Sequence, residues 1–264
     1  MKLGMTQIIT KTPAKEFIQL ASDLGYDCVE LGLNGKEGFL NAESTEEEIA
    51  EVKDHADSLG IDIISTCNGG GSGNLLESNE QQERGVAEAI KALHVSAKLG
   101  AKTMLHTLGS LSPDLYYEDA YNNAIESLKQ IAPHARESGC ILAIEFVWNG
   151  FLFSPLEMCS LIDAVESDFV GFYFDPGNMA VFHYPQHWVR ALGHRIKMVH
   201  FKDWQGGPLN GGWPKLLEGK VDFDVVLDEL KKVDYDPVFI HEVDAGTDSF
   251  ESSLDRMRQI VKYW

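Results

Sequence analysis

The sequence predicts a single-domain α/β protein folded as a closed (β/α)8 barrel, and three observations lead there. Short apolar, β-rich runs recur eight times in 264 residues, segments of helical period separate them, and glycines close several of those segments. The runs are KLGMT from Lys2, CVELG from Cys28, IDIIST from Ile61, KTMLHT from Lys102, ILAIEF from Ile141, VGFYFD from Val170, IKMVHF from Ile196 and PVFIHEV from Pro237. Each is strand-sized. Several are almost continuously apolar, the pattern of parallel strands covered on both faces.

Helical segments fill the intervals. PAKEFIQLASDLG joins the first two strands, TEEEIAEVKDHADSLG the next two, and EDAYNNAIESLKQIAPHARESG the fourth and fifth. VDFDVVLDELKKV joins the seventh and eighth, and there Phe223, Val226, Leu227 and Leu230 share one helical face. Ser154 and Glu157 have capping-box spacing with Pro155 at the first helical position, and Ser78 with Gln81 repeats that spacing. Gly25, Gly60, Gly100 and Gly139 stand where a helix needs a left-handed closing residue. The phrases LGYDCVELG, LGIDIISTC, LGAKTMLHTLG and SGCILAIEF are then one degenerate helix-to-strand repeat. An open doubly wound sheet normally has fewer strands, and the first strand here is not followed by a GxGxxG turn.

Composition narrows the function. The chain carries 41 acidic and 22 basic residues, a formal charge of -19, which opposes attraction to nucleic acid and to anionic membranes. Four cysteines without CxxC spacing read as buried thiols in a reducing compartment. No run is long and apolar enough for a leader or a bilayer span, so a soluble, cytoplasmic protein is expected.

In such a barrel, chemistry collects at the C-terminal ends of the strands. The predicted strands end in Glu30, Cys67 with Asn68, His106, Glu145, Asp175, His200 and Glu242. The fifth to the eighth deliver Glu145, Asp175, His200 and Glu242, three hard oxygen ligands and one imidazole directed at a common axis. That set suits one divalent metal ion, Mn²⁺ first and Mg²⁺, Co²⁺ or Zn²⁺ next, with coordination positions left for substrate. A cation would also offset the repulsion of three neighbouring carboxylates.

The motifs IEF around Glu145, FDPGN around Asp175, VHFKD from Val199 to Asp203, LEGKVDF from Leu217 to Phe223 and IHEV around Glu242 stand in a telling order. In that order and spacing the chain resembles the sugar isomerase/epimerase family of xylose-isomerase-like TIM barrels, over essentially its whole length. The resemblance implies that Glu145, Asp175, His200 and Glu242 bind the metal and that Glu145 and Glu242 are the acid/base pair. It implies a small-molecule sugar substrate and no nucleic-acid or membrane partner, and it is compatible with a homo-oligomer. The substrate-binding candidates are His106, Asn178, Lys202, Glu218 in the LEG turn, and Trp148, which with Trp204 and Trp213 could pack on a sugar face.

The expected reaction is isomerisation or epimerisation of a ketose or related keto-sugar through an enediolate. The alternative is dehydration or lysis of a keto-cyclitol or keto-glycoside. An endonuclease-IV-like repair enzyme and an inactive sugar-binding barrel are less favoured. Many ketohexose epimerases of the family carry histidine three residues after the metal aspartate, where this chain has Asn178. That departure moves the expectation toward branches with a DxGN pattern. Gly206, Gly207, Gly211 and Gly212 could cradle an anion through their amides, although the acidic balance favours an uncharged substrate.

Overall fold

In the computed structural model, which describes residues 1–33, 35, 39–69, 73–208 and 210–264, strand β1 (Lys2–Thr6) pairs on both sides. Its partners are β2 (Cys28–Gly32) and the last strand of the chain, β10 (Val238–His241). Between these two run β3 (Asp62–Asn68), β4 (Thr103–His106), β5 (Ile141–Glu145), β6 (Val170–Phe174) and β7 (Ile196–Phe201), every pair parallel. The sheet therefore closes into an eight-stranded barrel with no edge left to pair. All eight predicted runs are barrel strands, and the chain folds as a single-domain TIM barrel.

The outer layer consists of α1 (Ala14–Leu24), α2 (Glu46–Leu59), α3 (Glu80–Leu99), α4 (Tyr117–Ser138), α5 (Pro155–Val165), α7 (Pro185–Leu192), α8 (Phe223–Lys232) and α9 (Phe250–Ile260). Gly25, Gly60, Gly100 and Gly139 close α1 to α4 in the left-handed conformation, as their sequence positions require. Phe223, Val226, Leu227 and Leu230 are all buried on one face of α8.

The helix starts depart from expectation in two places. Asn79, not Ser78, caps α3, its side chain accepting from the Gln81 amide at 2.8 Å. The amide carbonyl reaches that donor from one residue nearer the helix. At α5, Ser154 does cap, but onto the Leu156 amide, and Glu157 accepts instead from the Tyr117 hydroxyl at 2.7 Å. A complete capping box occurs where it had not been singled out, between Thr45 and Glu48 at the start of α2.

Two additions lie at the mouth. A five-residue helix, α6 (Pro176–Ala180), begins as soon as β6 ends, and a small antiparallel hairpin of β8 (Gln205–Gly207) and β9 (Asn210–Gly212) follows β7. The late glycines thus build an exposed hairpin in which Gly206 faces Gly211, so part of their hydrogen-bonding capacity is spent on that ladder.

The main hydrophobic core lies between sheet and helices. A second, smaller cluster fills the barrel itself with Cys67, Leu105, Ala143, Tyr173, Met198 and Ile240, one from each of six strands. Because side chains alternate along a strand, the residues two further on also face the axis, one layer nearer the mouth. On β5, β6, β7 and β10 those residues are Glu145, Asp175, His200 and Glu242. Among the described residues, no helix is long and apolar enough to cross a membrane. The four cysteines are unpaired thiols, three of them buried.

Candidate metal centre

Each of the four residues is delivered by a different strand end. Glu145 is the last residue of β5, and His200 is the penultimate residue of β7. Asp175 is the N-cap of α6, where its Oδ1 accepts from the Asn178 amide at 3.0 Å. Glu242 follows β10, held by its own amide donating to Phe201 O at 3.0 Å. The helix start packs closely enough against β7 that a Cβ on Gly177 would lie 2.9 Å from the Lys202 backbone. A side chain there would force the helix start or Lys202 to shift.

One oxygen or nitrogen from each of the four lies within 4.8 Å of all the others. Among the described residues, Asp175 Oδ2 and His200 Nδ1 are buried and find no hydrogen-bond partner. His200 Nδ1 is 3.3 Å from Glu242 Oε2 and 3.5 Å from Glu145 Oε1, in ion-pair range but not aligned as a hydrogen bond. Unpartnered polar atoms converging at this depth are what a cation site offers and what a packed core avoids. Three carboxylates and an imidazole therefore fit a divalent metal.

The imidazole is oriented from behind by Glu30, a fully buried carboxylate on β2. Its Oε1 accepts from Thr6 Oγ1 at 2.7 Å and faces His200 Nε2 at 3.0 Å, while its Oε2 accepts from Ser65 Oγ at 2.8 Å and Tyr173 OH at 2.6 Å. Burial disfavours the charge on Glu30, yet His200 and these hydrogen bonds outweigh it and hold the carboxyl below its ordinary range. With Nε2 engaged by Glu30, Nδ1 faces the cluster and can hold a cation once it gives up its proton. Alanine at Glu30 is expected to weaken divalent-metal affinity roughly 10- to 100-fold, measured by chelator competition, with no ligand removed. Unchanged affinity would show that packing alone orients His200.

The remaining charges divide the two glutamates. Lys202 donates to Glu242 Oε1 at 2.8 Å, lies 3.8 Å from Asp175 Oδ2, and places its ammonium 4.3 Å from the Trp213 ring centre. Burial opposes ionisation of Glu242, but Lys202 and His200 outweigh it and bring the pKa to about 2. Burial dominates at Glu145 and raises its pKa, and it pushes Asp175 up to about 7. For His200, burial is overridden by Glu30 and the two glutamates, so its pKa stands well above the usual value.

The other expected site residues separate into two groups. Asn178 belongs to the cluster, its Nδ2 donating to Glu145 Oε1 at 3.3 Å and to Phe146 O at 3.2 Å. Trp148 stands at the mouth, donating to Asn178 O at 3.3 Å and stacking on Trp213 with ring centres 4.9 Å apart. Lys202 pairs with Glu242 rather than with Asp203, whose carboxylate instead accepts from the amides of Trp204, Gly219 and Val221 and so fastens the LEG turn. Glu218 in that turn bonds Arg256 at 2.7 Å and is absent from the cavity wall. His106 is buried, and its Nδ1 accepts from the Leu108 amide at 2.9 Å.

His106 carries a pH consequence. Burial lowers its pKa from 6.5 to about 4, against a raising effect of Glu88. The unfolded chain therefore takes up a proton below about pH 6.5 that the folded protein refuses until near pH 4, and stability falls as pH drops through that window. The contribution is on the order of 3 kcal/mol at most. His106→Gln should lose less melting temperature between pH 6.5 and 4.5 than the parent; an equal loss would place the acid sensitivity elsewhere.

A cavity of about 580 Å³ opens beside the cluster, with Glu145 and Glu242 in its wall together with Ile8, Leu33, Leu105 and Val147. It is the size of ordinary small-molecule sites.

Residues 18–260 match the model of the xylose isomerase-like TIM barrel family. The chain belongs to that family. Among solved structures it is similar to a D-tagatose 3-epimerase-like protein, with TM-score 0.82, 19% identity and 99% of both chains covered. It is also similar to the IOLI protein solved with a zinc atom, with TM-score 0.82, 17% identity, and 100% of this chain and 99% of that chain covered. A third similar structure is YcjR, the 3-keto-D-glucoside 4-epimerase of E. coli, with TM-score 0.79, 16% identity and 99% of both chains covered. At these identities the likeness speaks for the fold. No curated protein matches the chain in sequence.

Proposed function

We propose that this chain is a divalent-metal-dependent isomerase or epimerase acting on an unphosphorylated keto-sugar. The observation that carries the reading is the convergence of Glu145, Asp175, His200 and Glu242, with Asp175 Oδ2 and His200 Nδ1 left without hydrogen-bond partners among the described residues. A divalent cation held by these four would supply Lewis-acid polarisation of a carbonyl and its neighbouring hydroxyl. The protein's own groups do the rest. Glu145 and Glu242 flank the reacting carbon, one carboxylate taking the proton beside the carbonyl and the other returning it. Glu145, raised in pKa by burial, is the stronger base of the two, and Glu242 is held ionised by Lys202. The Lys202 ammonium, 2.8 Å from Glu242, adds positive charge where the enediolate oxygen develops. Trp148, Trp204 and Trp213 pack edge-to-face and face-to-face beside Lys202 and limit water on that side.

The uncharged character of the substrate is supported by the cavity wall away from Lys202 and Glu242, to which no lysine or arginine contributes among the described residues. The similarity to sugar 3- and 4-epimerases agrees with the reaction class. The test is incubation with Mn²⁺ in deuterated water against ketoses, keto-glycosides, inososes and sugar phosphates. Label beside the carbonyl is expected with a neutral substrate, and loss of water from the product would assign dehydration instead. No label with any of them, despite bound metal, would remove the enediolate reading.

A further inference from the structure

The two acid/base glutamates are joined across the mouth by a pair of tryptophans. Lys202, which donates to Glu242 Oε1 at 2.8 Å, has its ammonium 4.3 Å from the ring centre of Trp213. Trp213 stacks on Trp148 with ring centres 4.9 Å apart and planes 21° from parallel. Trp148 Nε1 donates to Asn178 O at 3.3 Å, and Asn178 Nδ2 donates to Glu145 Oε1 at the same distance. The contacts thus run from one carboxylate to the other, with the stacked rings as the middle link. Trp213 is seated there by the hairpin. It follows β9 directly and meets Trp204 edge-on with ring centres 4.7 Å apart, and a Cβ on Gly211 would collide with the Trp204 ring. Trp204 is 4% exposed, whereas Trp213 and Trp148 remain 36% and 42% exposed. Core burial alone does not account for rings left this open.

We infer that the Trp148–Trp213 stack is a positioning device for proton transfer, Trp213 holding Lys202 against Glu242 and Trp148 holding the Asn178 backbone, from which Nδ2 reaches Glu145. This rests on the keto-sugar reading and adds the residues that fix its two acid/base groups in place. The physical argument is orientation. A lysine is a hydrated point charge on a flexible four-carbon stem, and an indole face restrains it through cation–π attraction while excluding water. A misplacement of about 1 Å near reacting groups can cost roughly a hundredfold in rate.

The experiment compares the parent with Trp213→Leu, Trp213→Phe, Trp148→Leu, Lys202→Met and the double variant Trp213→Leu/Lys202→Met. Each is loaded with Mn²⁺ and assayed by deuterium exchange with the neutral keto-sugar that exchanges best. Trp213→Leu and Trp148→Leu should each lower kcat roughly tenfold while KM changes less than about threefold. Trp213→Phe should restore most of the loss, since a phenyl face also attracts a cation. The double variant should be no slower than Lys202→Met, because residues in one chain of contacts do not act additively. A readout free of catalysis is the proton–carbon NMR spectrum of isotope-labelled lysines in protein loaded with diamagnetic Mg²⁺. Lys202, lying over an indole face, is expected upfield of the other lysines and should rejoin them in Trp213→Leu. Losses that multiply in the double variant, a Trp213→Phe protein as slow as Trp213→Leu, or a Lys202 signal unmoved by Trp213→Leu would each overturn the inference. So would an effect of Trp213→Leu confined to KM, which would make the ring a substrate contact. A displaced lysine signal with no label from any sugar would sink the keto-sugar reading alone.

Discussion

Glutamine in place of Glu145 is expected to lower turnover and isotope exchange by roughly 10² to 10⁴-fold, the range over which a positioned general base acts. Glutamine keeps a carbonyl oxygen to face the cation and the bond from Asn178 Nδ2, which lies 3.3 Å from Glu145 Oε1, so the cluster's geometry is preserved while proton transfer is lost. Glu242→Gln should give a similar loss with a second consequence, because it also removes the charge that Lys202 pairs with at 2.8 Å. Lys202, itself partly buried and raised in pKa by Glu242 and Asp175 against the cost of burial, would then depend on Asp175, 3.8 Å away. The metal content of each variant separates lost chemistry from lost metal. A metal-replete Glu145→Gln protein that exchanges label at the parent's rate would remove Glu145 from proton transfer.

The positions of the four clustered residues were legible because each depends on one strand and one rule. A strand's last inward residue reaches the barrel mouth, and the motifs around Glu145, Asp175, His200 and Glu242 mark where those strands stop. Asp175 carried a further local sign, since Pro176 after an acid is the signature of a capped helix start, and that cap is observed. Glu30 was visible as a strand-ending acid, but its role was not. It is defined by partners 143 and 170 residues away, Tyr173 and His200, which meet it only once the barrel has closed.

Local competition explains the smaller departures. Asn79 outbid Ser78 for the start of α3 by reaching the Gln81 amide, and Tyr117 took Glu157 from its capping role through a contact across 40 residues. The hairpin of β8 and β9 was unreadable as strand because its segments, QGG and NGG, have no β-branched or aromatic residue to signal one. The pairing of Lys202 could not be settled from VHFKD, where Asp203 is adjacent in sequence. Alternation along the chain sends the two side chains to opposite sides, Lys202 to Glu242 and Asp203 to the amides of the LEG turn.

Stripping the protein with a strong chelator is expected to abolish turnover and to lower its melting temperature, and Mn²⁺ should restore both. Without a cation, Glu145, Asp175 and Glu242 face one another across less than 5 Å, with His200 and Lys202 as the charged groups that compensate among the described residues. Any ion that binds this arrangement and not the unfolded chain stabilises the fold by mass action, about 2.7 kcal/mol at a hundred times the dissociation constant. For a chain of this length that is a rise on the order of 5 to 10 °C, readable by calorimetry. Asp175→Asn should erase most of the rise, because Oδ2 is a buried acceptor with no hydrogen-bond partner among the described residues. Zn²⁺ should displace Mn²⁺ in direct competition, since intrinsic affinities at a mixed oxygen and nitrogen site favour it, so the ion carried after purification reports availability, whereas the ion that supports fastest exchange reports the site. A melting temperature indifferent to chelator and to every divalent ion would mean that the four side chains serve one another and not a metal.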